Sequence, residues 1–425
     1  MVKPAALPRS SVHRYLILII LLALTLRVLL ALALGEELRE VSGTFDQIAY
    51  DLLGQRVSAG YGFSFPTTWY LFARANEPTA HWSFLYTLYL AAIYSIFGHH
   101  PLAARLIQVL LSGLNLLLVY RLGQRLFGTS AGLAAAALTA LYAYLILFNA
   151  SLMTQTFYIL SVLASLELAL SVVQQPKWGK WFLLGASLGL GILLRQSLLL
   201  FTPLLLGWIW WRFSSLRSLS NKRAWLGMLL ALGVIASLIL PWTTRNYLIY
   251  HDFLLLNSNG GYWFYSSNHP DQGIKFDPNF KAPIAENLLT LSEPAIDRTL
   301  FREGVNFVIS NPSRFLLLSI SRINNYFWVL PSGDSTALGN WSRLFSFGLY
   351  LPFMILGLYL SRAQWRLCLP LYLYVAFDST FCLLSWAAPR YRLPSDAVMM
   401  VFAGLAVSTL VARLHLTRPL AFRAG

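Results

Sequence analysis

Twelve apolar runs punctuate the chain, near 15–35, 83–97, 102–120, 130–148, 152–173, 181–194, 197–211, 225–243, 314–330, 343–361, 367–386 and 397–412. Runs of about 20 residues between short polar breaks predict membrane-spanning helices. Two runs do not qualify. The run 83–97 reaches only about 22 Å as a helix, against a hydrocarbon core of about 30 Å. The run 314–330 is interrupted by Arg322, Asn324 and Asn325. Both are predicted to lie along the membrane surface, which leaves ten spans.

The charged positions test that count independently. With the N-terminus inside, the inner loops are Arg121–Arg125, Lys177–Lys180, Arg212–Arg223, Arg362–Arg366 and a tail with Arg413, Arg418 and Arg423, all basic and free of acids. Cytoplasmic loops carry this bias. Every Asp and Glu falls in an outer loop or at an outer helix end, except Glu167 and Asp378 within spans. A spanning 83–97 alone would move Arg121 and Arg125 outside and break the pattern. The expected architecture is an all-α polytopic membrane protein, one domain over 1–425, with about ten transmembrane helices and both termini inside. Interfacial helices are expected in two outer loops, 36–101 and 245–342.

In the first outer loop, centred on Gly43-Thr44-Phe45-Asp46, residues 45–58 show helical spacing. Phe45, Ile48, Ala49, Leu52 and Val57 are predicted on an apolar side, with Asp46, Tyr50 and Asp51 on a polar one. The second loop has turns at Asn257–Gly261 and Asn268-His269-Pro270, then a predicted amphipathic helix near 295–310. No internal repeat is visible, which argues against an inverted-repeat transporter.

Composition supports the same class. Of 425 residues 57% are hydrophobic and 12% charged, where a soluble domain carries about 25% charged. The net charge of +15 resides in short loops, with no basic helix or stacking platform, so it does not indicate a nucleic-acid partner. Cys368 and Cys382, if on one helix, stand roughly 21 Å apart, too far for a disulfide. The run Tyr15–Gly35 is too long for a signal-peptide core and lacks a clean cleavage site, so it reads as an uncleaved first helix.

Several side chains could carry chemistry. Asp46 and Tyr50, four residues apart at a membrane edge, would share a helix face. A carboxylate there can act as general base on an acceptor hydroxyl or help hold a divalent metal. Asp51 reads as a polar-face residue. Glu77 and His81, at i, i+4 spacing, could act as an acid–base or ligand pair, although two ligands do not complete a metal site. Arginines at outer helix ends are Arg105, Arg195, Arg245, Arg390 and Arg392. Several converging would suit a phosphate or pyrophosphate, since each guanidinium offers a permanently charged fork of donors. Arg390 and Arg392, between Pro389 and Pro394, are the foremost pair. Glu167 and Asp378 are intramembrane acids, functional candidates by position. His251 with Asp252 and His269 with Asp271 lie in the second loop, where loop roles are the simpler reading. No phosphate-binding G-x-x-x-x-G-K-[ST], H-E-x-x-H helix, Cys cluster or Asp-x-Asp pair occurs. An activated substrate would therefore arrive within the membrane.

The ordered set of Asp46 with Tyr50, Pro78-Thr79-Ala80-His81-Trp82-Ser83-Phe84-Leu85-Tyr86, Ile93–Gly98, Ala104-Arg105-Leu106, Tyr120–Gly128, Leu194-Arg195-Gln196, Pro241–Tyr247, Ser258–Gly261 and Arg390-Tyr391-Arg392-Leu393-Pro394 resembles the membrane-embedded glycosyltransferases of the C-type fold. It is most similar to the bacterial branch of the protein O-mannosyltransferase (glycosyltransferase family 39) and aminoarabinose-transferase superfamily. That resemblance implies a transferase in the inner (plasma) membrane, with its active site on the periplasmic or exoplasmic side. The donor would be a polyprenyl-phosphate-linked sugar and the acceptor a glycan, lipid or protein. Asp46 would be the catalytic carboxylate, and Arg390, Arg392, Arg195 and Arg245 would hold the lipid phosphate. No cofactor is firmly implied, although a divalent metal is an option. The chain departs from relatives at Gln47, beside the catalytic position, and at Gln155, where many carry an acid; a second acid would then come from Asp51 or Glu77. Two other classes fit the same features: a transporter or flippase of lipid-linked sugars, and a membrane subunit whose site has decayed.

Overall fold

A computed structural model describes residues 9–39, 45–69, 73–216, 221–331, 333 and 336–417. Gly43 and Thr44 of the first-loop centre, and Arg418 and Arg423 of the basic tail, lie outside the described residues. Among those described, the regular structure is helical, with three isolated β-bridges in the first outer loop. All ten segments expected to span are helical. They form α1 (Arg9–Leu34) and, after two helices of the first loop, α2 (Asp46–Ser58) and α3 (Phe84–Phe97), continue as α4 (Pro101–Phe127), the bent pair α5 (Thr129–Leu141) and α6 (Ala143–Ala150), α7 (Gln155–Gln174), α8 (Trp178–Leu194), α9 (Ser197–Leu216) and α10 (Asn221–Tyr250). The second loop contributes α11 (Gly260–Ser267), α12 (Glu293–Ser310) and α13 (Pro312–Tyr326). The bundle ends with α14 (Ala337–Arg343), α15 (Leu349–Ser361), α16 (Trp365–Leu384) and α17 (Leu393–Thr417).

Length and apolarity alone qualify six stretches to cross a bilayer, or seven if α5 and α6, bent by 60°, make one broken span. The single stretch Ala337–Leu384 contains both α15 and α16. The apolar α8, of 17 residues, is about 25 Å long, and α9 contains Pro203. Counting α15 and α16 separately raises this to eight; α8 and α9, also expected to span, are not among the qualifying stretches.

Why the bundle packs follows from residue size. A Cβ at Gly123 of α4 would lie 2.9 Å from the Gly132 Cα of α5, and one at Gly404 of α17 would meet the Ala131 carbonyl at 2.4 Å. These three helices approach backbone to backbone, the usual basis of helix association in lipid. The bend between α5 and α6 has its own support. Arg27 of α1 is fully buried, and its guanidinium donates to the carbonyls of Ala140 (3.1 Å) and Thr139 (3.2 Å). Those carbonyls precede the break at Tyr142, where the continuing helix would otherwise bind them.

Both runs expected not to span are helical, as α3 and α13. In α13, Leu316, Leu317, Ile320 and Ile323 are exposed, while Arg322 is buried and donates to Leu383 O (3.1 Å) and Asn268 Oδ1 (2.9 Å). The residue that disqualified this run as a span thus pins it to α16 and the second loop.

The division of α2 into apolar and polar sides is corrected. Phe45, expected to face the apolar side, is 53% exposed, whereas Tyr50 and Asp51, expected on the polar side, are buried. The helix lies under α3, where Leu90 and Tyr94 press on Gly54. Burial is tolerated because the polar groups are matched. Tyr94 Oη (2.5 Å), Gln55 Nε2 (2.7 Å) and His99 Nε2 (3.0 Å) all reach the Asp51 carboxylate.

The two outer loops are clamped together at one carboxylate. Glu293, at the start of α12, accepts from Ala80 N (2.9 Å), Thr79 Oγ1 (3.2 Å) and Ser258 Oγ. Ser258 N also donates to Ala80 O at 3.2 Å. Residues before α3 are thereby fixed against the second loop.

Candidate active site

The site forms where α2, the end of α8 and the turn before α17 meet. Asp46 is the first residue of α2 and its side chain is 38% exposed. Arg390 Nη1 donates to Asp46 Oδ2 at 2.7 Å, across 344 residues of sequence. Its Nη2 donates to Tyr391 Oη at 2.9 Å, and the guanidinium sits over the Tyr391 ring at 4.8 Å. Arg195 lies 5.7 Å from the same ring and 4.9 Å from that of Tyr158, with Nε donating to Thr154 Oγ1 at 3.3 Å. Two guanidinium groups thus lie near the Tyr391 ring, each close enough for a cation–π contact.

Tyr50 lies one helical turn beyond Asp46, edge-on to Tyr86, with Ser83 N donating to its hydroxyl at 3.5 Å. The charges of Asp46, Arg195 and Arg390 all act on it, and burial pushes its hydroxyl well above the usual phenol range. His81, against Trp82, is pushed down to about 4 by burial, with Asp46 acting in the opposite direction. It is a neutral imidazole at pH 7 beside a carboxylate. Asp46, Tyr50, His81, Arg195 and Arg390 are thus brought together, and Tyr391 joins them.

The other expected site residues go elsewhere. Glu77 and His81 do not share a helix face. The chain there is non-helical, with Pro78 bridged to Ser64. Glu77 remains at the surface beside Arg74 (3.4 Å), while His81 turns inward. Asp51 is engaged by Tyr94 and His99 on another side of α2. Neither Asp51 nor Glu77 reaches Asp46 as a second acid. Arg245 rests over Trp242 (4.6 Å) and Phe63 (5.5 Å), donating to Asn246 Oδ1 (3.0 Å), in an aromatic setting on the Glu293 side.

Arg390 and Arg392 do not converge. Both belong to the tight turn Pro389–Arg392. At three residues per turn, side chains two positions apart point about 120° away from each other. Arg392 enters the protein, where it bonds Asp396 Oδ1 (3.0 Å) and the Tyr326 carbonyl and lies 3.5 Å from the Phe347 ring centre. Tyr142 Oη donates to the same aspartate at 2.6 Å. Arg105 likewise serves the backbone, donating to Gly35 O and Glu37 O, both at 2.7 Å.

Gln47 and Gln155 have structural surroundings. Gln47 Oε1 accepts from Leu152 N (3.0 Å), and its Nε2 donates to Arg39 O (2.6 Å), joining the first loop to the turn between α6 and α7. Gln155, the first residue of α7, is buried. Of the intramembrane acids, Asp378 accepts from Ser395 Oγ (2.5 Å) and Glu167 pairs with Arg125 (2.6 Å). Asp252 is held by Arg298 (2.7 Å), and His269 by Tyr265 Oη (3.0 Å).

Sequence reasoning did not single out Tyr391, Glu293 or Asp396. Tyr391 stands in the quoted Arg-Tyr-Arg motif, and Asp396 follows Arg392 at i, i+4. Glu293 carries no local signal. The Asp46 carboxylate faces a guanidinium, and among the described residues no three His, Cys, Asp or Glu converge.

Residues 81–242 match the family model described as dolichyl-phosphate-mannose-protein mannosyltransferase. No curated protein is similar by sequence. The fold is that of C-type glycosyltransferases. The oligosaccharyltransferase of Archaeoglobus fulgidus in its apo form superposes with a TM-score of 0.62 at 15% identity, covering 96% of this chain and 52% of that one. AglB from the same organism, solved with an inhibitory peptide and a dolichol-phosphate, gives 0.58 at 15% identity over 98% of this chain and 52% of that one. ArnT from Cupriavidus metallidurans, bound to undecaprenyl phosphate, gives 0.54 at 16% identity over 94% and 62%. The chain spans about half the length of the archaeal enzymes. Together with the spanning helices, this makes it an integral membrane protein.

Proposed function

We propose that the chain is a single membrane-embedded glycosyltransferase. It moves a sugar from a polyprenyl-phosphate carrier to an acceptor hydroxyl at the outer membrane face, with both termini cytoplasmic. The observation that carries this reading is the Asp46–Arg390 pair, its carboxylate partly open to solvent, with Arg195 near the same Tyr391 ring as Arg390. It places one carboxylate and two fixed cations at one helix end. The basic inner loops support the outer placement, and the polyprenyl phosphates seen with AglB and ArnT support the donor class.

In the proposed reaction, Asp46 takes the proton of the acceptor hydroxyl. The acceptor oxygen attacks the anomeric carbon, and the bond from that carbon to the lipid-phosphate oxygen breaks, its electron pair leaving with the phosphate. Arg390 and Arg195 stabilise the charge that develops on the departing phosphate. An arriving phosphate would draw Arg390 from Asp46, so that donor binding uncovers the base. Arg392, sealed against Asp396, is left out of the phosphate set, and Arg245 is at most peripheral to it.

The test is purified protein with a labelled polyprenyl-phosphate sugar and a panel of acceptors, scored for release of free lipid phosphate. Transfer by the parent and none by Asp46→Asn is expected. Transfer at parental rate by a folded Asp46→Asn would overturn the assignment. Substrate crossing the bilayer without release of lipid phosphate would favour a flippase.

A further inference from the structure

At the end of the bundle opposite Asp46, two arginines meet one carboxylate and two lysines stand near them. Helix α7 starts beside Arg195, through Thr154, and runs 20 residues, about 30 Å, to Gln174. Near that far end Glu167, only 5% exposed, is held by Arg125 through Nε (3.1 Å) and Nη2 (2.6 Å). One guanidinium in this fork arrangement already balances the carboxylate. Arg121 nonetheless approaches it at 3.5 Å while remaining 54% exposed. Lys180, bonded to Ser171 O at 3.3 Å, stands within electrostatic range of Lys177, Arg125 and Glu167. The surplus is positive.

The two arginines and Glu167 also line an open cleft with Gln124 and Gln174. Its volume of about 310 Å³ has space for roughly ten waters and so for a phosphate headgroup. Beside it, α8 exposes Trp178, Phe182 and Leu183, which offer an apolar wall to acyl chains. Cationic clefts between helices at a membrane surface suit acidic lipid headgroups.

We infer that this cleft is a binding site for the phosphate headgroup of an anionic phospholipid, taken from the leaflet opposite the candidate active site. Arg121 and the two lysines supply the attraction, while Arg125 is fixed by Glu167 and Gln174. The inference stands apart from the proposed transferase activity.

The test uses full-length protein in phosphatidylcholine nanodiscs doped with phosphatidylglycerol, with retained lipid read by native mass spectrometry. The parent is expected to retain phosphatidylglycerol preferentially. Arg121→Gln and Lys180→Gln should each reduce that preference about fivefold, in line with the attraction of one surface cation to an acidic lipid. Glu167→Gln should raise it by releasing Arg125, a change opposite in sign to that of a damaged fold. Equal retention in all four proteins, or a loss in Glu167→Gln matching that of the cation variants, would overturn the site. Competition by millimolar inorganic phosphate would overturn the lipid as its occupant.

Discussion

Arg390 and Arg392 leave one short turn, and each meets an aspartate, yet the two pairs are differently built. In the first, the side chains of Arg390 and Asp46 are 13% and 38% exposed; in the second, those of Arg392 and Asp396 are 3% and 2% exposed. The second pair has additional partners in Tyr142, the Tyr326 carbonyl and the Phe347 ring. Exchanging either member for a ligand would strand a charge in the protein interior, which is costly. The open pair can part, because water or a substrate can replace what each member loses. One turn therefore holds a cation fitted for exchange and another fitted for permanence.

This contrast can be broken experimentally. The largest effect is expected on turnover: Asp46→Asn should lower transfer by roughly 10²–10⁴-fold, the range for a lost general base, with the unfolding midpoint unchanged. Asp396→Asn should act on stability instead, by about 3–5 kcal/mol, because it leaves Arg392 buried without its counter-charge. Thermal unfolding in detergent reads this, and a parental midpoint would refute the structural assignment of the sealed pair. Arg390→Ala should raise the KM for the lipid-linked donor about tenfold, as expected for one charge-assisted hydrogen bond, with little change in midpoint. An unchanged KM would separate Arg390 from phosphate binding.

The smallest effect concerns pH. Burial pushes Glu293 up to about 7, so the folded chain keeps a proton that the unfolded chain loses in the ordinary carboxylate range. Its stabilisation is complete below that range and is lost as pH rises toward 7. His81, pushed down to about 4 by burial, behaves oppositely. Its stabilisation is complete above the ordinary histidine value and is lost as pH falls toward 4. In the parent the two trends oppose each other between about pH 4.5 and 6.5. Glu293→Gln should expose the histidine trend alone, with loop-clamp stability rising with pH. Hydrogen exchange of residues 78–83 measures it, and a slope of the other sign would contradict the assignment.

The helical frame was legible because lipid imposes a simple rule on apolar run length, and every predicted segment is helical. That the two shorter runs form helices too short or too interrupted to count as spans, α3 and α13, was legible for the same reason. Partnership was not. The face of α2 was misjudged because Tyr50 and Asp51 are matched by Ser83, Tyr94 and His99, residues that periodicity within one helix does not reveal. Asp46 and Arg390 could be nominated separately, but their pairing spans 344 residues. Arg390 and Arg392 looked equivalent because spacing in a motif does not say which way a tight turn points each side chain. The clamp at Glu293 depends on Thr79, Ala80 and Ser258 arriving from two loops, and no local pattern announces it.

Arg27 bears on how such a chain is made. A guanidinium at the centre of a spanning helix disfavours insertion by about 2.5–3.5 kcal/mol, while each leucine, isoleucine or valine favours it by about 0.3–0.6. The carbonyl of Ala140 that Arg27 finally binds lies 113 residues further along the chain. During synthesis α1 thus enters the bilayer before its partner exists, carried by its own leucines and isoleucines. Thinning those residues while leaving Arg27 in place would stall biogenesis, even though the finished fold would still accommodate the arginine.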